Sequence, residues 1–221
     1  MALAIFDLDN TLLAGDSDVA WGQFLVSNNI VDGDYYAREN QRYYEQYKDG
    51  TLDIMEFLAF ALKPLSELAP ERLNVLHAQF MTDDILPMIT DDARALVNRH
   101  RQQGDTLMII TATNRFVTEP IARELGIEYL LATEPEQQDG RYTGRVSGIP
   151  CFQHGKVERL HAWLDEHDAT LDGSWFYSDS HNDLPLLKEV SHPVAVNPDA
   201  TLRSHAEAAG WPILQLHPQG E

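Results

Sequence analysis

The sequence predicts a doubly wound α/β protein with a mainly parallel sheet, and three observations carry that prediction. First, short apolar runs stop abruptly at polar or acidic residues: 2–6 before Asp7, 106–110 before Thr111, and 174–177 before Ser178 and Asp179. A run apolar on both faces is how a parallel strand covered by helices on each side reads. Second, helical patterns lie between these runs, as at 91–103, closed by Gly104, and 117–125, closed by Gly126. Third, the alternation is suspended from residue 14 to 87, where helical segments at roughly 17–29, 33–48, 52–62 and 70–81 follow one another without a strand. The result is a Rossmann-like core formed by 1–13 and 88–221, with an all-helical cap, 14–87, inserted after the first strand.

Further strands are expected at 129–132 and 193–196. The stretch 134–148 reads as a hairpin because Asp139-Gly140 and Thr143-Gly144 supply turn chemistry. Trp175 and Phe176 fall inside a buried strand and read as core. The chain is expected to fray from about residue 217.

Composition narrows the function. The 221 residues carry 16 Lys and Arg against 35 Asp and Glu, a formal charge of −19, which opposes binding to nucleic acid or anionic membranes. The longest apolar runs fall well short of the ~18 residues that a membrane helix needs. The acidic residues Asp7 and Asp9 come too early for a basic-then-apolar leader, so a cytoplasmic protein is expected. The single cysteine, Cys151, excludes an internal disulfide and has no evident base beside it in sequence. The nine histidines, including His154, His161 and His167, match no helical metal pair and read as surface residues. The helices show no seam that would set an oligomeric state.

Chemistry concentrates where strands end. Asp7-Leu8-Asp9-Asn10-Thr11 follows the first strand and places two carboxylates at i and i+2 on chain curling around one pocket. Thr111 and Ala112 end the next core strand, Lys156 follows Gly155 at a helix start, and Asp179 is followed by Asn182 and Asp183. In a doubly wound sheet, ligands sit at the carboxyl ends of the strands, so these four stretches converge.

In these stretches the sequence resembles the haloacid dehalogenase superfamily, in its phosphoserine-phosphatase-like branch. The resemblance is carried by Phe6-Asp7-Leu8-Asp9-Asn10-Thr11, Ile109-Ile110-Thr111, Gly155-Lys156 and 178–183, and by the helical insertion. It implies a phosphatase in which Asp7 is the nucleophile, Asp9 the acid and base, and Thr111 and Lys156 bind the phosphate. It also implies Mg²⁺ held by Asp7, Asp179 and the Asp9 carbonyl, with Thr11, Asp16, Ala112 and Asn182 around the substrate and Asp183 orienting Lys156. The residue chemistry agrees. A carboxylate attacking a phosphate dianion needs cations at hand, and hard oxygen ligands suit Mg²⁺. Asp9 supplies the second acid that alkyl-halide-cleaving members lack.

The resemblance places the branch's ammonium-binding acid at Asp16 and its carboxylate-binding Arg at Ala61. A methyl group cannot replace a bidentate guanidinium, so phosphoserine is disfavoured. Asp16 and Asp18, in a cap with five basic against thirteen acidic side chains, suit an amine. Tyr35, Tyr36, Tyr43, Tyr44 and Tyr47 either pack the cap's own helices or offer a ring wall. L-Histidinol phosphate, a small phosphomonoester with an amine, an imidazole and no carboxylate, is the expected substrate. Phosphoserine, phosphoethanolamine-type esters, phosphotransfer to an alcohol, and phosphate-ester binding without turnover are the alternatives. His181 lies within the last motif, either at the site's mouth or in a solvated loop.

Overall fold

A computed structural model describes residues 2–218. Its sheet has seven strands in the order β4-β3-β2-β1-β5-β6-β7. The strands β1 (Leu3–Phe6), β2 (Thr106–Asn114), β3 (Tyr129–Gln138), β5 (Trp175–Ser178), β6 (His192–Val196) and β7 (Ile213–Leu214) are parallel, while β4 (Arg141–Ser147) returns antiparallel along β3.

The insertion between β1 and β2 holds α1 (Ser17–Ser27), α2 (Gly33–Asp49), α3 (Ile54–Glu67) and α4 (Pro70–Phe80), then a π-helical turn at Met81–Ile85 and the single turn α5 (Leu86–Met88). The core helices are α6 (Asp91–Gln103), α7 (Arg115–Glu124), α8 (His154–Glu166), α9 (Leu184–Leu187) and α10 (Ala200–Ala209).

Strand alternation builds two cores. Ala4, Phe6, Leu107 and Ile109 enter one, whereas Leu3, Ile5, Met108 and Ile110 enter the other. The first core also takes in Trp21, Phe24, Leu58 and Phe80 of the insertion, so the cap is welded to one face of the sheet by apolar burial. Asp16, Asp32 and Asp53 cap the N-termini of α1, α2 and α3 through their carboxylates. Part of the cap's acidity is therefore spent on its own helix ends. The chain leaves and rejoins the core side by side, with Leu13 bridged to Ile89 and the Ala14 N–H donating to the Met88 carbonyl at 2.8 Å.

Several elements differ from expectation. The strand expected to stop at residue 110 runs on to Asn114, across an irregularity where the ladder passes from Ile110↔Leu131 to Asn114↔Thr133. Helix α3 continues past Pro64 to Glu67, because burial of Leu62, Pro64 and Leu65 outweighs the proline's local cost. The two-residue β7 is too short for any periodicity to announce.

Two histidines are core rather than surface. His77 Nε2 meets the Val117 carbonyl at 3.1 Å, and His100 sits between Asp105 and the Tyr177 hydroxyl at 2.8 and 2.7 Å. His154, His161 and His167 are exposed. The fraying expected beyond 217 falls largely on 219–221, outside the described residues. Among the described residues, no helix is long and apolar enough to cross a membrane.

Candidate active site

Parallel pairing brings the carboxyl ends of β1, β2 and β5 together, because β1 lies between β2 and β5 in register. Asp7 follows β1 directly, and its N–H donates to the Tyr177 carbonyl at 2.9 Å, which fixes where its side chain starts. The chain then curls, with the Leu12 and Leu13 amides donating to the Leu8 carbonyl and Asn10 in the left-handed region at φ 56°.

A buried ion-pair network forms the floor. Lys156 Nζ donates to Asp7 Oδ1 at 2.9 Å and to Asp183 Oδ2 at 2.8 Å. Ser178 Oγ donates to the same Asp183 oxygen at 2.7 Å. Burial pulls the Lys156 ammonium down, but Asp183 and Asp7 outweigh it and raise the group, so it stays charged. Burial pushes the Asp7 carboxyl up to about 7, with Lys156 opposing and Asp183 and Asp9 adding.

Lys156 is delivered by a tight turn. Gly155 is obligatory, since a Cβ there would stand 2.1 Å from the Pro150 carbonyl oxygen, and Gln153 adopts φ 47°, ψ −117° just before it.

Asp9 is oriented separately. Its Oδ1 accepts from the Ser17 N–H at 2.6 Å, and its Oδ2 accepts from the Thr113 hydroxyl at 2.8 Å and more weakly from Thr111 at 3.4 Å. Burial raises this carboxyl to about 6, helped by Asp16 and opposed by the Ser17 and Thr113 hydrogen bonds. Both oxygens are thus engaged, and a carboxyl held in this state can exchange a proton near neutrality.

The structure assembles all four expected stretches around one cavity of about 160 Å³, lined by Asp7, Asp9, Thr111, Ala112, Lys156, Asp179, Asn182 and Asp183. Thr11 stands apart from its expected contact with substrate. Its hydroxyl is fully buried and donates to Asp179 Oδ1 at 3.0 Å, which orients that carboxylate. Asn182 lines the cavity but is engaged away from Lys156. Its Oδ1 accepts from Gln153 Nε2 at 2.8 Å, while Asp183 holds the lysine. Asp16 reaches the cavity, but its Oδ1 is engaged by the Asp18 and Val19 amides at 2.9 and 3.0 Å. Asp18 also lines the cavity, and burial, then Asp16 and Asp9, push it up to about 8.

Thr113 escaped the sequence reading, and Ser178 and Tyr47 were met only as part of a motif and of a ring wall; the Tyr47 hydroxyl lies 2.8 Å from Ser180 Oγ. Thr113 shares the strand face of Thr111 at period two, a signal lost by ending the strand at 110. Cys151 is buried, with its thiol pushed up to about 12 by burial, and is inert. His181 lines the outer mouth, its Nδ1 2.8 Å from Asp199 Oδ2.

The donor set suits a divalent cation. Burial, then Asp7 and Asp183, drive Asp179 well above the carboxylate range, and Lys156 is the single Lys or Arg among the described residues lining the cavity against six aspartates. That excess of negative charge calls for a cation, and Asp7 with Asp179 could provide hard oxygen ligands. Among the described residues, no three Asp, Glu, His or Cys side chains form such a site alone.

The haloacid dehalogenase-like hydrolase family profile matches residues 4–188. The chain belongs to this family. The hydrolase is 46% identical over 218 residues to a Neisseria meningitidis protein named histidinol-phosphatase, spanning 97% of this chain and 98% of that one. A crystal structure of a Bordetella pertussis protein of unknown function superposes with a TM-score of 0.92 at 44% identity, covering 98% and 99% of the two chains. A substrate-bound phosphoserine phosphatase superposes at 0.71 with 18% identity, covering 96% and 92%, and so shares the fold. The hydrolase is a phosphatase.

Proposed function

We propose that this phosphatase cleaves small amino-alcohol phosphates, L-histidinol phosphate above others, through an aspartyl-phosphate on Asp7, with 14–87 as the cap over a core of 1–13 and 88–221. One observation carries the reading: among the described residues the cavity has a single basic side chain, Lys156, tied to Asp7 at its floor, beneath an aromatic and aliphatic roof.

The floor is built to take a phosphate. Asp7 Oδ1 is held by Lys156, and its other oxygen is left for attack on phosphorus. The P–O bond to the alcohol breaks as the Asp9 carboxylic acid donates its proton to the departing oxygen. Asp9, now a carboxylate, takes a proton from the water that attacks the phosphorus of the acyl phosphate, which returns Asp7 and releases inorganic phosphate. Mg²⁺ bound by Asp7, Asp179 and the Asp9 carbonyl would neutralise charge on the phosphate. Thr111, beside Asp9, would hold a phosphate oxygen.

The roof supports the choice of substrate. Tyr43, Tyr44, Tyr47, Leu52, Ile54, Phe57, Leu58 and Phe152 offer ring and aliphatic surface, and Asp16 and Asp18 offer carboxyl groups that an ammonium would draw into the ionised form. Ala61 is not part of the lining, and the residues of its helix that are, Ile54, Phe57 and Leu58, bring no cation for a carboxylate. The Neisseria relative's name points to the same ester.

The test is a comparison of kcat/KM for L-histidinol phosphate, phosphoserine and phosphoethanolamine with Mg²⁺. Histidinol phosphate should lead, EDTA should remove turnover, and Asp7→Asn should abolish it. A preference for phosphoserine would overturn the substrate reading. Transfer of the phosphoryl group to added alcohols in preference to water would make the enzyme a phosphotransferase.

A further inference from the structure

We propose that Tyr47 is a positioning residue through which the closed cap fixes the loops that present Asp179 and Lys156. The inference rests on the phosphatase reading but concerns a residue to which that reading gives only a place in the wall.

The cap is fastened unevenly. On one side, Trp21 packs edge-on against Phe116 of α7 at 5.5 Å, and α3 lies so close to β4 that a Cβ at Gly144 would stand 3.1 Å from Ser66 Oγ. On the other side, α2 faces an open cleft of about 1290 Å³. Among the described residues, its one side-chain hydrogen bond to the core is that of Tyr47 with Ser180. The Tyr47 ring also leans on Phe152 at 6.2 Å, so a single cap residue meets both catalytic loops.

A chain of contacts runs on from there. Ser180 Oγ accepts from the Asn182 amide N–H at 3.2 Å and from Asn182 Nδ2 at 3.3 Å. With both lone pairs taken, its proton is left for the Tyr47 oxygen. Asn182 Oδ1 accepts from Gln153 Nε2 at 2.8 Å, and the Gln153 carbonyl accepts the Lys156 N–H at 3.1 Å. Gln153 holds an unfavourable backbone conformation, and such a turn keeps its shape only when its surroundings hold it. The tether from the cap is part of that hold. Opening the cap releases Ser180, then Asn182, then the turn beneath Lys156. Phosphoryl transfer is thereby matched to closure, when water is excluded. Burial and Asp179 keep the phenol neutral, so the link does not titrate in the working range.

The test uses Tyr47→Phe, Ser180→Ala and the double variant in the full chain. Tyr47→Phe keeps the ring and its packing on Phe152. Turnover of the wild type on p-nitrophenyl phosphate is measured first, and its absence would defeat the phosphatase reading rather than this one. Tyr47→Phe should lower kcat roughly tenfold with KM within about twofold and the pH profile unchanged in shape. The double variant should lose no more than the worse single variant. Hydrogen exchange, which needs no turnover, should quicken in Tyr47→Phe at 150–156 and 178–183. A kcat within about twofold of wild type, multiplicative losses in the double variant, or unchanged exchange in both loops would each overturn the proposal.

Discussion

The floor and the roof of the cavity are built by different rules. The floor residues leave strands whose register is locked by ladders, and each is held by a named hydrogen bond: Asp7 by Lys156, Asp9 by Ser17 and Thr113, Asp179 by Thr11. The roof residues stand mainly on helix faces, where van der Waals contact replaces directional bonding. Tyr36 and Tyr43 are buried with Phe60 in the cap's own cluster, while Tyr44 is more than half exposed over the cavity. A floor of this kind performs one reaction and tolerates little change. A roof of this kind selects among substrates and can be altered by small steps.

The largest test of that contrast is Lys156→Met. Removing the buried cation leaves Asp7 and Asp183 facing each other unpaired. Turnover should vanish, and stability should fall by ~3–5 kcal/mol, read by denaturant titration. Survival of both would mean that the floor is not a charge-balanced unit.

Thr113→Val should act next most strongly, lowering kcat by ~10–100-fold through misplacement of Asp9. The lost hydrogen bond now lowers the Asp9 carboxyl, so its removal should shift the corresponding inflection of the pH–rate profile upward. An unmoved inflection would detach Asp9 from it.

Tyr44→Ala probes the roof. It should cut kcat/KM for histidinol phosphate by ~10-fold, mostly through KM, and affect phosphoethanolamine less, since only the former carries a ring to contact the wall. Equal losses on both esters would mean that Tyr44 reads no ring.

The smallest effect concerns stability without metal. The Asp7 carboxyl is raised from its ordinary 3.8 to about 7, so across that window the folded chain holds protons that the unfolded chain has released. Stability of the metal-free protein should therefore fall as pH rises from 5 to 7.5. Mg²⁺, by compensating the ionised floor, should raise Tm by more at pH 7.5 than at pH 5. An equal gain at both values would show that the floor carboxylates are not what the ion relieves.

Much of the floor was readable before any coordinates, because apolar runs ending at acids announce both a strand and what it delivers. Asp7, Asp9, Thr111, Lys156, Asp179 and Asp183 all reach the cavity expected of them. What escaped depends on pairing across the chain. Thr113 matters because the ladder with β3 slips and extends β2. Thr11 turns to Asp179, 168 positions away. His77 is buried against α7 and His100 against β1 and β5, contacts between distant segments that no local pattern records.

Local sequence determined the order of strands and helices, the place of the insertion and the chemical groups at the strand ends, since propensity, hydrophobic period and charge are properties of neighbouring residues. Only the tertiary structure decided which oxygen each carboxylate offers, what Thr11 and Thr113 bond to and which face of α2 meets the loops. Those outcomes are contacts between segments far apart in the chain, and their geometry exists only once the sheet, the two cores and the cap have packed together.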